Sequence, residues 1–262
     1  MPVLYGSMAI IDTNVYLSRW PFRRLNGDQP QALVGKMNRS GVTQAWAGSF
    51  DALLHRDLGG ANARLATECR NHGNGMLVPF GSVNPKLPDW REELRRCHED
   101  HRMPGLRLHP DFHDYKLDDP VVRELVGLAA QRRMIVQIAA QMEDERTVHP
   151  LLRLNSVPLA PLPGLVRAVR GARILLSNYR GVQPAFMRDL AAAGEVYADF
   201  SMIEGVHGLE RLSGDIGPAR VVFGSYFPFY YFEAAHLKVK ESGLPPEPIF
   251  EGNARRLMGD PR

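Results

Sequence analysis

The chain has 262 residues, 44% of them hydrophobic, and a formal charge of +3. That length suits one large domain or two small ones, and so small and dispersed a charge argues against a nucleic-acid partner. No apolar run approaches the ~18 residues of a membrane span, and residues 1–6 lack a basic stretch followed by an apolar one. A soluble, cytoplasmic protein is expected. Cys69 and Cys97 each sit inside a helical pattern without metal or redox spacing, and read as reduced structural thiols.

Strand-like and helix-like segments alternate along the whole chain. Apolar runs suited to buried parallel strands fall at residues 8–11, 43–47, 77–82, 105–108, 135–139, 173–176, 196–200 and 221–224. Apolar residues at three- and four-residue spacing mark helices over 61–71, 90–100, 121–132 and 184–193. Asp89 is a candidate cap for the second, and Pro120 suits the first turn of the third. The Pro-rich stretch 158–163 reads as a loop. Eight strands alternating with helices predict a (β/α)8 TIM barrel, one domain over residues 1–262. The runner-up, an open doubly wound sheet, lacks a Gly-x-Gly-x-x-Gly after an early strand.

Barrel chemistry gathers where strands end. That rule singles out Asp12, Asn14, Tyr16 and Arg19 after strand one, and the run from Arg107 to Tyr115 after strand four. It also selects Gln141 to Arg146 after strand five, Asn178 after strand six, Ser201, Glu204 and His207 after strand seven, and Ser225 and Tyr226 after strand eight. Glu143, Asp144 and Glu145 read as a helix start, where acidic residues suit the positive end of the dipole. Arg19, Arg23 and Arg24 form either a solvated loop or an anion-recognition cluster.

Several segments resemble the amidohydrolase superfamily, in particular amidohydrolase family 2. They are Ile10-Ile11-Asp12-Thr13-Asn14-Val15-Tyr16-Leu17, Gly105-Leu106-Arg107-Leu108-His109-Pro110, and Leu117-Asp118-Asp119-Pro120. Near the end come Phe223-Gly224-Ser225-Tyr226-Phe227-Pro228-Phe229 and Asn253-Ala254-Arg255-Arg256-Leu257. The resemblance implies a barrel hydrolase whose metal is held by His-x-His after strand one, histidines ending strands five and six, and a late aspartate. Those positions here carry Asn14, Tyr16, Ala139, Asn178 and Tyr226. A neutral amide is a weak ligand and a phenol is protonated near neutral pH. The expectation is therefore no resident cofactor at the family's site.

Asn14, Tyr16, Asn178 and Tyr226 suit binding of a small polar or anionic substrate, or else they satisfy one another across the barrel top. Arg107 is a candidate anion clamp and His109 or Glu143 a candidate proton carrier. Arg19, Glu204 and His207 are further substrate-binding candidates, the last two three residues apart. A relocated divalent metal on His109, Asp111 and His113 is the alternative. The leading functional expectation is a divergent hydrolase, with lactones or esters favoured, since metal-independent lactone hydrolysis is known in the superfamily. The rivals are a non-catalytic binding barrel and a hydrolase with the relocated metal. Self-association into a homo-oligomer would follow the superfamily's habit.

Overall fold

The computed structural model describes residues 8–259 apart from 145, 150, 151, 153, 155 and 182. Seven parallel strands pair in sequence order: β1 (Ile10–Leu17), β2 (Val42–Ser49), β3 (Leu77–Gly81), β4 (Gly105–Leu108), β5 (Ile135–Ala139), β6 (Arg173–Ser177) and β7 (Glu195–Ala198). The expected eighth strand is not a regular ladder. Residues 221–227 instead bridge the gap with single bonds: Val222 N–H donates to Ala198 O (3.0 Å), Thr13 N–H to Phe223 O (2.9 Å), and Tyr226 N–H to Asn14 O (2.9 Å). Tyr226, at φ 58°, takes the segment out of strand geometry. The result is a TIM barrel closed by an irregular seam.

The helices are α1 (Pro30–Arg39), α2 (Asp51–Leu54), α3 (Leu58–His72), α4 (Trp90–Glu99), α5 (Pro110–His113), α6 (Pro120–Gln131), α7 (Leu162–Ala168), α8 (Pro184–Ala193), α9 (Gly208–Ile216), α10 (Phe232–Glu241) and α11 (Asn253–Met258). In α6, Pro120 occupies the first turn and Val122, Leu125, Val126 and Ala129 form the buried stripe. Asp89 stands at the start of α4 but makes no capping bond; α3 has one, from Gly60 N–H to Asp57 (2.8 Å). The proline-rich stretch runs into α7 rather than staying a loop throughout. Among the described residues no helix is long and apolar enough to cross a membrane.

The barrel interior is layered. At the bottom, Ile11, Trp46, Phe80, Ile135, Leu175, Tyr197 and Val222 meet Ala254 and Leu257 of α11, which plugs that end. Above them Arg107 crosses the lumen, and above Arg107 lies an aromatic layer of Tyr16, Trp20, Phe50 and Tyr226 with Met142 and Met202. Gly48 makes room for the crossing, since a Cβ there would stand 2.7 Å from an Arg107 terminal nitrogen.

β1 starts later and runs further than its apolar pattern predicts, because Asp12, Thr13 and Asn14 are strand residues whose side chains are buried. A register shift against β2 lies between Asp12 and Val15. Strict alternation would put Ile11 on the face of Val15 and Leu17; the shift sends those two to the helix side and Tyr16 into the barrel.

Candidate active site

Asp12, Asn14 and Tyr16 from β1, His109 after β4, Asn178 after β6, Asp199 after β7 and Tyr226 on the closing seam meet at the C-terminal end of the barrel. Asn14 Nδ2 donates to Asn178 Oδ1 (2.7 Å) and to Asp199 Oδ2 (2.8 Å). Asp199 Oδ1 accepts from the Ser201 backbone N–H (3.0 Å) and hydroxyl (2.8 Å), and Asn178 Nδ2 donates to Gln141 O (2.8 Å). Asp12 Oδ1 accepts from the backbone N–H groups of Asn14 (3.1 Å) and Ser225 (2.9 Å). Asp12 Oδ2 and Asn14 Oδ1 are buried without a hydrogen-bond partner. Burial pushes the Asp12 carboxyl up to about 7 against the pull of those donors, and raises Asp199 as well.

A second group adjoins the first. The Tyr16 hydroxyl lies 3.0 Å from His109 Nε2, with Ser82 Oγ 3.4 Å from Nδ1. Burial holds His109 well below its ordinary value, so its ring is neutral at pH 7, and pushes Tyr16 up to about 12. Tyr226 donates its hydroxyl to Met142 O and meets Tyr16 edge-on at 5.8 Å. Asn14, Tyr16, His109, Asn178, Asp199 and Tyr226 are each no more than 1% exposed, out of contact with bulk solvent. Asn178 and Tyr226 both hold left-handed backbone (φ 58°), a conformation that costs a non-glycine residue about 1–2 kcal/mol and that a tight surrounding must impose.

Arg107 is not available as an anion clamp. It is fully buried, and its guanidinium donates to Gln137 Oε1 (3.0 Å), Val15 O (2.9 Å), Trp46 O (3.0 Å) and Thr13 O (3.3 Å), with Tyr16 stacked 4.4 Å away. Arg19 is exposed. Glu143 does not begin a helix; it pairs with Arg23 in a loop that covers the mouth, while Glu145 lies outside the described residues. Glu204 and His207 do not pair with each other: His207 meets Glu210 at 2.8 Å, and Glu204 meets Arg146 (3.2 Å) and Arg180 (3.5 Å). The Glu204–Arg146 pair, with Asp144 held by Arg146 and Arg180, clasps the same covering loop.

Sequence reasoning passed over Asp199, Gln137 and Ser82. Asp199 is legible as a lone carboxylate in the otherwise apolar run Tyr197-Ala198-Asp199-Phe200, at a strand's C-terminal end. Gln137 and Ser82 carried no signal, because only the three-dimensional position of Arg107 and His109 gives them partners.

A sequence model of the family Amidohydro_2, described as amidohydrolase, matches residues 16–259. The chain belongs to the amidohydrolase family. Solved structures share the fold at low identity. The 5-carboxyvanillate decarboxylase of Sphingomonas paucimobilis superposes with a TM-score of 0.72 at 15% identity, covering 97% of this chain and 99% of its own. The 2,6-dihydroxybenzoate decarboxylase of Rhizobium gives 0.69 at 15%, with the same coverage. An uncharacterised TIM-barrel protein of Bordetella bronchiseptica gives 0.72 at 14%, again over 97% and 99%. No functionally curated protein matches the chain.

The divalent metal that the family resemblance implies does not suit this amidohydrolase's own residues. At its five positions stand two amides, two phenols and an alanine. Both Asp199 oxygens accept hydrogen bonds, and beside Asn178 and Asp199 the atoms left unpartnered include one Asp12 oxygen and one neutral amide oxygen, of Asn14. The relocated set is not gathered in this structure either, although His113 Nδ1 is buried without a partner. His109 faces Tyr16, His113 Nε2 lies 2.9 Å from Ala52 O, and their rings stand 5.9 Å apart at 81°. Among the described residues no three His, Cys, Asp or Glu side chains group as a metal set.

Proposed function

We propose that this amidohydrolase is a metal-independent enzyme of the hydrolase and lyase range, acting on a small polar or anionic substrate. Lactone or ester cleavage is the first reaction to test; the decarboxylases among its structural neighbours make loss of a carboxylate the second. The observation that carries the reading is Asp12. Its carboxyl is raised to about 7 and one oxygen is unpartnered, inside a mouth it shares with two amides, two phenols, His109 and the bonded Asp199. A carboxyl poised near neutrality exchanges protons where a metal-bound water otherwise would. Asp111, also pushed up to about 7 by burial, is the second such group. His109 and Tyr16 offer hydrogen bonds to the substrate, and displacement of the loop clasped by Arg23 and Glu143 admits it.

The test is turnover of a lactone and ester panel by chelator-treated protein, beside Asp12→Asn and His109→Ala. Activity that survives chelation and is lost in Asp12→Asn supports the proposal. Activity that appears only on adding zinc or manganese overturns it. The mutual bonding of Asn14, Asn178 and Asp199 supports one further reading, a binding barrel without turnover; tight binding of a panel member with no product formed selects it.

A further inference from the structure

A cavity of about 500 Å³ opens on the outside of the barrel, lateral to the sealed mouth. One wall is α1, where Ala32, Lys36 and Arg39 share a face at four- and three-residue spacing. The opposite wall is the chain after the seam, Phe229, Tyr230 and Tyr231. Arg24 to Gly27 close the end. The end wall is built tightly: Gly27 (φ +91°) lies so close to the Phe227 ring that a Cβ would overlap it, so glycine is needed there both for conformation and for space.

Two features are unexplained by the fold. Among the described residues Arg24 and Arg39 have no hydrogen-bond or ion-pair partner, and the one lysine in the lining, Lys36, is already held by Glu233. Both arginines are exposed residues on the lining of one cavity. Tyr231 is 81% exposed on the rim, an unusual place for a large ring. Phe229 behind it is held in place, packed on Trp20 (5.1 Å) and Tyr226 (5.1 Å) with Arg23 over its face. Size, an aromatic wall and two arginines on one lining suit a small-ligand site, and unpaired planar guanidiniums select a phosphate or carboxylate.

We propose that this cavity binds a small aromatic dianion, its ring against Phe229 and Tyr231 and its charge between Arg24 and Arg39. The site is separate from the mouth, so it stands whatever reaction the mouth performs. Calorimetric titration with phenyl phosphate at low ionic strength tests it, with phenol and inorganic phosphate as controls. Saturable binding with Kd below about 1 mM is expected, and at least about tenfold weaker binding of either control. Arg24→Ala and Arg39→Ala should each weaken phenyl phosphate by about tenfold, and Tyr231→Ala by about threefold. All three side chains lie outside the core, and circular dichroism verifies that the variants fold. No saturation by about 10 mM, or unchanged affinity in the double arginine variant, overturns the site. Equal binding of phenyl phosphate and inorganic phosphate overturns its aromatic half.

Discussion

Arg107 takes three backbone carbonyls and an amide oxygen from three strands onto one guanidinium, at a depth water does not reach. Arg107→Met is similar in size but leaves those four neutral acceptors unpaired, a loss of about 3–5 kcal/mol at about 1 kcal/mol each. In a chain of this size that lowers Tm by about 10 °C, readable by calorimetry; a drop under about 2 °C would mean the carbonyls had found other donors. Asp12 acts in the opposite sense. Its folded carboxyl titrates at about 7, against 3.8 for the ordinary group. Between those values the folded state binds more protons than the unfolded, so stability falls as pH rises through the window. Roughly three pKa units correspond to about 4 kcal/mol. Asp12→Asn, which still offers an oxygen to Asn14 and Ser225, should flatten that slope: little changed at pH 4, more stable than the parent at pH 8. Equal destabilisation at both values in urea unfolding would refute a neutral Asp12.

At the scale of elements, β1 shows what the sequence could and could not convey. Apolar runs located β4, β5 and α8 to the residue, because period and composition there report burial directly. In β1, Asp12-Thr13-Asn14 has the composition of a turn, and only the barrel's cross-strand donors make it a buried strand. Likewise Asn14, Tyr16, Asn178 and Tyr226 were legible as mouth residues from their position after strands, while the Asn14–Asn178 bond and the Tyr16–His109 contact depend on the register shift in β1. The acidic run after β5 reads as a helix start, yet its charges go elsewhere: Glu143 to Arg23, and Asp144 to its neighbour Arg146 and the distant Arg180. That clasp gives a further prediction. Arg23→Ala should speed amide exchange at residues 141–149 by about tenfold, the loss of one charge-assisted contact, with β4 and β5 unaffected. Uniform acceleration throughout would mean the loop is part of the global fold and not a separate cover.

At the scale of the whole molecule, the irregular point of the ring is the seam. Seven strands are tied by ladders, whereas residues 221–227 are joined to β7 and β1 by single bonds. What compensates is packing, and Gly224 is where it is tightest: a Cβ would stand 2.9 Å from Asp199 Cβ and 3.1 Å from Asn14 Cβ. Neither neighbour can rotate away, since both contacts are to atoms fixed by the backbone. Gly224→Ala must therefore push the seam outward, straining the Asn14–Asp199 bond and the Thr13–Phe223 bond together, at a cost of about 1–3 kcal/mol. The opening should be local. Amides of Thr13, Tyr16 and Val222 would lose protection in hydrogen exchange, while those of β4, on the far side of the ring, would keep theirs. If β4 exchanged in step with the seam, the barrel would open only as one unit, and entry to the mouth would need global unfolding in place of movement of the loop above it.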